Sequence, residues 1–313
     1  MPELFKVGNL TCGPNSRTRG FLKVANAEIE MPITLVSGSP GTTVVITGGT
    51  HGGEYPGIET AIRLAQEIQP QDVKGNLAIV HPVNTTSFLA RTQYYVPADG
   101  KNLNRMFPGK ALGTLSERIA HTISTELFSQ ADFYMDLHGG DIHEALIPFV
   151  LYPAFAAPDV TRASREAASR VGVRYVVGSY SSNGSIGSAA VAGVPGMLVE
   201  IGQCGLWSEE EVLVYARGVK NVLRHLGVLG GMCEDLGPVE YVERMNVLAA
   251  EHEGCWYPRV KPGDSIESGQ EFGQIRDYFG KVLGKVCAPI SGTVLYVASS
   301  LAILPGDPIG AIG

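Results

Sequence analysis

The sequence contains no C-x-x-C pair. Its five cysteines, Cys12, Cys204, Cys233, Cys255 and Cys287, form an odd, scattered set. That excludes a disulfide framework or a thiolate zinc site as an organising feature. No apolar run approaches the ~20 residues that a bilayer-crossing helix needs. The N-terminus shows no basic start followed by an apolar core, so no signal peptide is expected and the cytosol is the default compartment. Positive charge is scarce. Against 31 Asp and Glu there are 24 Lys and Arg, a formal charge of -7, so no basic field exists to hold nucleic acid or an anionic membrane. Repeats at solenoid spacing and low-complexity tracts are missing too. What remains is the composition of a globular enzyme. With 44% hydrophobic and 18% charged residues over 313 positions, the chain is too apolar for disorder and long enough for one large domain plus a small one.

Hydrophobic periodicity divides the chain. Thr42–Thr47 is a β-branched run that predicts a buried strand, and 76–82, 131–138, 173–177 and 196–201 predict further strands. Apolar residues at Ile58, Ala61, Ile62, Ala65 and Ile68 have helical spacing, with Pro56 near a first turn. Thr114-Leu115-Ser116-Glu117 is a capping-box pattern opening a helix over 114–128. Helices are also predicted over 158–171 and 209–226. Residues 1–40 read as strands and turns at a sheet edge, and 84–110 as a long loop of functional type. Strands alternating with helices predict an α/β fold: a mixed, mostly parallel sheet with helices on both faces. After Gly230-Gly231 short strands and regular turns take over. The expected division is therefore a catalytic domain over 1–237 and a small all-β barrel or sandwich over 238–313.

Chemistry concentrates where strands end. Gly48-Gly49-Thr50-His51-Gly52-Gly53-Glu54 places a histidine and a carboxylate three residues apart in a glycine-rich loop after a strand. Asp136-Leu137-His138 ends a later strand. Two histidines and a glutamate make the ligand set of an open, catalytic zinc site. A lone H-x-x-E is commonly an incidental polar loop; its strand-end position and the matching DLHGG segment favour a metal. Glu200 interrupts the apolar strand Met197-Leu198-Val199-Glu200-Ile201. It reads either as a buried general base with a raised pKa or as an edge residue facing solvent. Asn104-Arg105, in an irregular loop, suit recognition of a substrate carboxylate, or tie a surface loop to its own backbone. Arg91 is a cation for a developing oxyanion, or a solvated loop residue.

Taken together, HGGE, NLNR, DLHGG and VEIG, spread over most of residues 40–205, resemble the succinylglutamate desuccinylase/aspartoacylase family of the zinc carboxypeptidase superfamily. The resemblance implies one zinc ion per subunit, held by His51, Glu54 and His138, with Glu200 as general base. It implies that Asn104 and Arg105 grip the carboxylate of the amino-acid product, and that Arg91 polarises the scissile carbonyl. The implied substrate is a small N-acyl amino acid. The stretch Asn183–Ala190 carries no basic residue, whereas relatives that remove an acidic acyl group carry an arginine there. Acetyl or another small neutral acyl group is therefore expected rather than succinyl. The C-terminal segment Ala288–Val294 resembles a lipoyl or biotinyl hairpin, but its turn Pro289-Ile290-Ser291-Gly292 has no carrier lysine. A structural cap or a homo-oligomer contact is the expectation. Two other readings stay open: a zinc carboxypeptidase acting on small peptides, and a non-catalytic binding protein on the same scaffold.

Overall fold

A computed structural model describes residues 4–313. Its centre is a nine-stranded sheet. In chain order the strands are β1 (Ser16–Lys23), β2 (Glu30–Ser37), β3 (Ser39–Gly48), β4 (Lys74–Val80), β5 (Phe133–His138), β6 (Phe149–Pro153), β7 (Tyr175–Ser179), β8 (Gly196–Glu200) and β9 (Glu240–Val242). Across the sheet the order is β9-β7-β6-β8-β5-β3-β4-β2-β1. The pairs β3/β4, β3/β5, β5/β8, β6/β7 and β7/β9 are parallel, whereas β1/β2, β2/β4 and β6/β8 are antiparallel. The sheet is thus mixed and mostly parallel.

Side-chain alternation along the strands explains why helices cover both faces. Val44, Ile46, Leu77, Ile79, Met135 and Leu137 point to one face. There they pack on α1 (Tyr55–Glu67), α4 (Pro158–Ala168) and α6 (Glu209–His225), through residues such as Leu64, Ala167 and Tyr215. Their neighbours Val45, Ala78, Val80 and Tyr134 point the other way, onto α3 (Leu115–Glu126) and α5 (Ser185–Val191). Local signals set the helix ends. Thr114 and Glu117 form the expected capping box on α3. Ser208 accepts a hydrogen bond from the Glu211 backbone N–H at the start of α6, whose first turn is acidic and whose last turn carries Arg224 and His225, matching the helix dipole.

The predicted loop over 84–110 holds more structure than its composition suggests. Asn84 caps the short helix α2 (Thr85–Ala90), then Tyr95–Val96 pairs with Lys101–Asn102 and a 3-10 turn covers Leu103–Arg105. Elements of two to six residues leave no periodic trace.

The C-terminal strands form two antiparallel sheets around Trp256, Phe272, Ile275, Val294 and Ile309. The division that we propose at residue 237/238 is crossed twice. Strand β9 still belongs to the large sheet, parallel to β7. Conversely, Glu144–Leu146 leaves the large domain to pair with Gly292–Ala298 of the β module. A seam of Leu146, Phe149, Val177, Leu295 and Tyr296 fills the join.

Candidate active site

The ends of β3, β5 and β8 lie side by side at one edge of the sheet. His51 follows β3, His138 closes β5, and Glu200 closes β8 in register with His138. Glu54 stands at the N-cap of α1. The glycines around His51 are required by geometry. Gly49 has φ of +77°, and a Cβ on Gly52 would stand 2.2 Å from the Phe88 backbone nitrogen.

His51 Nδ1 lies 2.6 Å from Glu54 Oε1, and His138 Nδ1 lies 2.8 Å from Glu54 Oε2. One donor atom from each of the three residues falls within 4.8 Å of the others. The far nitrogens are held as well: His51 Nε2 is 3.0 Å from Asn102 Oδ1, and His138 Nε2 is 3.0 Å from Asp136 Oδ2. Both Nδ1 atoms therefore face inward on anchored rings. Burial opposes charge on His138, but Asp136 and Glu54 on either side outweigh it and hold the imidazolium well above the usual histidine range. Burial likewise opposes ionisation of Glu54 and Asp136, and the histidines override it, leaving both carboxyls at about 2. Buried negative charge converging on two imidazoles fits a dication, which would take the place of the His138 proton.

Glu200 is next to this group and differently set. Among the described residues, its buried Oε2 has no hydrogen-bond partner. Burial pushes its carboxyl well above the usual range; His138 pulls the other way, and the nearby Glu54, Glu144 and Asp136 charges push further up.

Asn104 is buried, and its Oδ1 accepts from the Ser185 backbone N–H at 2.8 Å. Arg105 is exposed and donates from Nη1 to the Asn104 carbonyl at 3.0 Å. Arg91 is the C-cap of α2, exposed, with φ of 54°; among the described residues its side chain has no hydrogen bond or ion pair. The structure thus brings His51, Glu54, His138 and Glu200 together, sets Asn104 beside them through Ser185, and leaves Arg91 without a contact to the group.

Sequence reasoning passed over three residues. Asn102, the first asparagine of the same K-N-L-N-R run, holds His51. Asp136 accepts from His138, and also from Thr47 Oγ1 at 2.7 Å, Thr50 Oγ1 at 3.0 Å and Ser185 Oγ at 2.5 Å. Ser185 occupies the stretch that lacks a basic residue and joins Asp136 on one side to Asn104 on the other. If this group holds a metal ion, Ser185→Ala is expected to weaken its binding about tenfold, the low end for an outer support of a metal ligand, with the melting temperature changed by only a few degrees. Competition with a chromogenic chelator measures it.

Comparison with known proteins places the chain in a family. A family model described as the succinylglutamate desuccinylase/aspartoacylase catalytic domain matches residues 40–226. The chain belongs to this family. Among curated proteins, an N-alpha-acetyl-L-2,4-diaminobutyric acid deacetylase of Halomonas elongata is 31% identical over 274 residues, covering 82% of this chain and 79% of the relative. Among solved structures, the product-bound ectoine utilization protein EutE (DoeB) of Ruegeria pomeroyi superposes with a TM-score of 0.84 at 25% identity, covering 95% of each chain. A succinylglutamate desuccinylase/aspartoacylase of Rhodobacter sphaeroides gives 0.84 at 26% identity, covering 95% of this chain and 94% of that one. Both superpositions cover 95% of this chain, and so extend over the layered domain and into the β module. Among the described residues, no helix is long and apolar enough to cross a membrane.

Proposed function

We propose that this chain is a zinc-dependent amidohydrolase that removes a small neutral acyl group, acetyl in preference to succinyl, from the amine of an amino acid. One observation carries the reading: two inward-facing imidazole nitrogens and a carboxylate lie within 4.8 Å of one another, next to a half-buried glutamate whose buried Oε2 has no hydrogen-bond partner among the described residues. His51, Glu54 and His138 would hold the ion. When bound, zinc supplies Lewis acidity, lowering the pKa of water to about 7 and polarising a carbonyl.

The protein's own groups do the rest. Arg105, exposed beside Asn104, offers a planar fork to the substrate carboxylate. Asn104, fixed through its Oδ1 by Ser185, keeps its amide N–H groups for the same end. Glu200 takes a proton from the attacking water and hands it to the leaving amine, a role that suits a carboxylate whose pKa is raised. Arg91, exposed at its helix cap, has no step in this reading. The absence of a basic residue over Asn183–Ala190 supports a neutral acyl group, as does the named substrate of the Halomonas relative. The substrate is a small molecule, and the formal charge of -7 supports neither nucleic acid nor an anionic membrane as a partner.

The test is a panel of acetyl-, succinyl- and formyl-amino acids and dipeptides, assayed for free amine with and without chelator. Chelator-sensitive release from the acetyl compounds, at least tenfold above the succinyl ones, is expected. Faster release from dipeptides would replace the reading with a carboxypeptidase. No release from any compound with zinc added would leave a binding protein.

A further inference from the structure

His138 and Glu200 are the last residues of β5 and β8, and they lie opposite each other in the register. Under the deacylase reading the first holds the ion and the second takes a proton from water on that ion. Their separation therefore governs the rate. A proton-transfer group has to stand within hydrogen-bond reach, and a misplacement of ~1 Å can cost ~10²-fold. Chain ends are also where local opening is easiest. Past the last pair, the Ile201 N–H reaches the His138 carbonyl at 3.3 Å, and the Gly140 N–H donates to the Gly202 carbonyl at 2.8 Å.

A side chain from α6 spans these two ends. Tyr215 is fully buried, and its hydroxyl oxygen lies 2.7 Å from the Val199 carbonyl oxygen and 3.0 Å from the His138 carbonyl oxygen. A phenol has one hydrogen to give, and carbonyls only accept. The hydroxyl therefore donates to both, sharing one hydrogen in a three-centre bond. A buried tyrosine ordinarily satisfies its hydroxyl on whatever carbonyl is near. This one differs in what it joins. One acceptor belongs to His138 itself, and the other belongs to the residue before Glu200. The ring is also set on a fixed support. Helices α6 and α1 pack together, with ion pairs of Arg63 to Glu209 at 2.5 Å and Lys220 to Glu67 at 2.6 Å, and α1 begins at its N-cap Glu54.

We propose that Tyr215 is a positioning residue whose hydroxyl sets the spacing between His138 and Glu200, and so between the ion and the group that takes the proton. The proposal rests on the deacylase reading and deepens it. The hydroxyl acts through two backbone carbonyls. The substrate carboxylate is left to Asn104 and Arg105, on a different segment of the chain. Loss of the hydroxyl therefore falls on the rate at saturation and spares substrate affinity. Metal affinity is spared as well, because the rings keep their own supports: His138 Nε2 on Asp136 and His51 Nε2 on Asn102.

The experiment is Tyr215→Phe, which removes the hydroxyl and keeps the ring. On the zinc-loaded protein, with the acetyl-amino acid cleaved fastest, kcat is expected to fall about tenfold or more, while KM and the zinc Kd stay within about twofold. Ser164→Ala is the control. Ser164 Oγ is also buried and accepts from the Gly196 N–H at 2.9 Å, at the opposite end of β8. Its loss should lower the melting temperature by a few degrees and leave kcat within about twofold. Amide hydrogen exchange on the metal-free protein reads the strand ends without turnover. Tyr215→Phe should speed exchange at Ile201 and Gly140 about tenfold, with the beginnings of β5 and β8 unchanged. An unchanged kcat in Tyr215→Phe, or an equal loss of kcat in Ser164→Ala, would overturn the assignment and leave the deacylase reading standing. If no acetyl compound is hydrolysed, the deacylase reading fails, and exchange still decides the tie: unchanged rates at Ile201 and Gly140 overturn it. Should Tyr215→Phe not fold, exchange in the unsubstituted protein decides. Slow exchange at both amides supports the tie, and exchange as fast as in an exposed loop overturns it.

Discussion

Glu200→Gln is expected to lower turnover by roughly 10²–10⁴, the range for loss of a positioned proton-transfer group, while zinc still binds. The substitution keeps size and shape and removes only the ability to take a proton. Among the described residues, Glu200 Oε2 has no hydrogen-bond partner to lose. The result also separates two roles for this residue. A metal ligand would lose zinc with the substitution; a base would lose rate at unchanged metal content. Steady-state rates beside metal analysis of the same preparation give both answers. Near-native turnover in the variant would remove Glu200 from proton transfer.

Removal of the metal is the second large effect. Dialysis against a strong chelator is expected to bring hydrolysis of acetyl-amino acids to background, and zinc to restore it. Stability should fall with activity. A ligand present at 1,000 times its Kd stabilises the native state by about 4 kcal/mol, which for a chain of this size is several degrees of melting temperature. The cluster gives this shift a local cause, because without the ion the buried Glu54 carboxylate is shared between two imidazoles. His138→Ala should mimic the chelated state and resist rescue by zinc. A melting curve indifferent to chelator would contradict a metal at this position.

Much of this was legible in the sequence because the governing signals are local. The β-branched run ending at Thr47, the period of α1 and the Thr114–Glu117 capping box each depend on residues within one turn or strand of one another. His138 and Glu200 interrupt apolar strands at their ends, and His51 and Glu54 follow another in a glycine-rich loop; the structure brings the four together. What stayed hidden depends on approach through space. Ser185 lies 49 positions from Asp136 and 81 from Asn104, and a serine in a run of small residues has no marking of its own. Helix α5, which it opens, is buried from Ser185 to Ala190, so no polar face gives it a period. The strand Glu144–Leu146 has no local mark either, because its partner, Gly292–Ala298, lies far along the chain. Arg91 is the opposite case: its residue type suggests a role, and among the described residues its exposed side chain has no hydrogen bond or ion pair.

That distant pairing has a consequence during synthesis. Glu144 emerges from the ribosome 148 positions before Gly292, where its partner strand begins (292 minus 144). At about 5–20 residues per second, translation needs roughly 7–30 seconds to cover that distance. Throughout the interval Glu144–Leu146 has no partner strand, although by residue 242 every strand of the large sheet has been made. Nascent chains stalled shortly before residue 292 should accordingly bind holdase chaperones and be cut by protease near residue 144, and chains a few tens of residues longer should resist both.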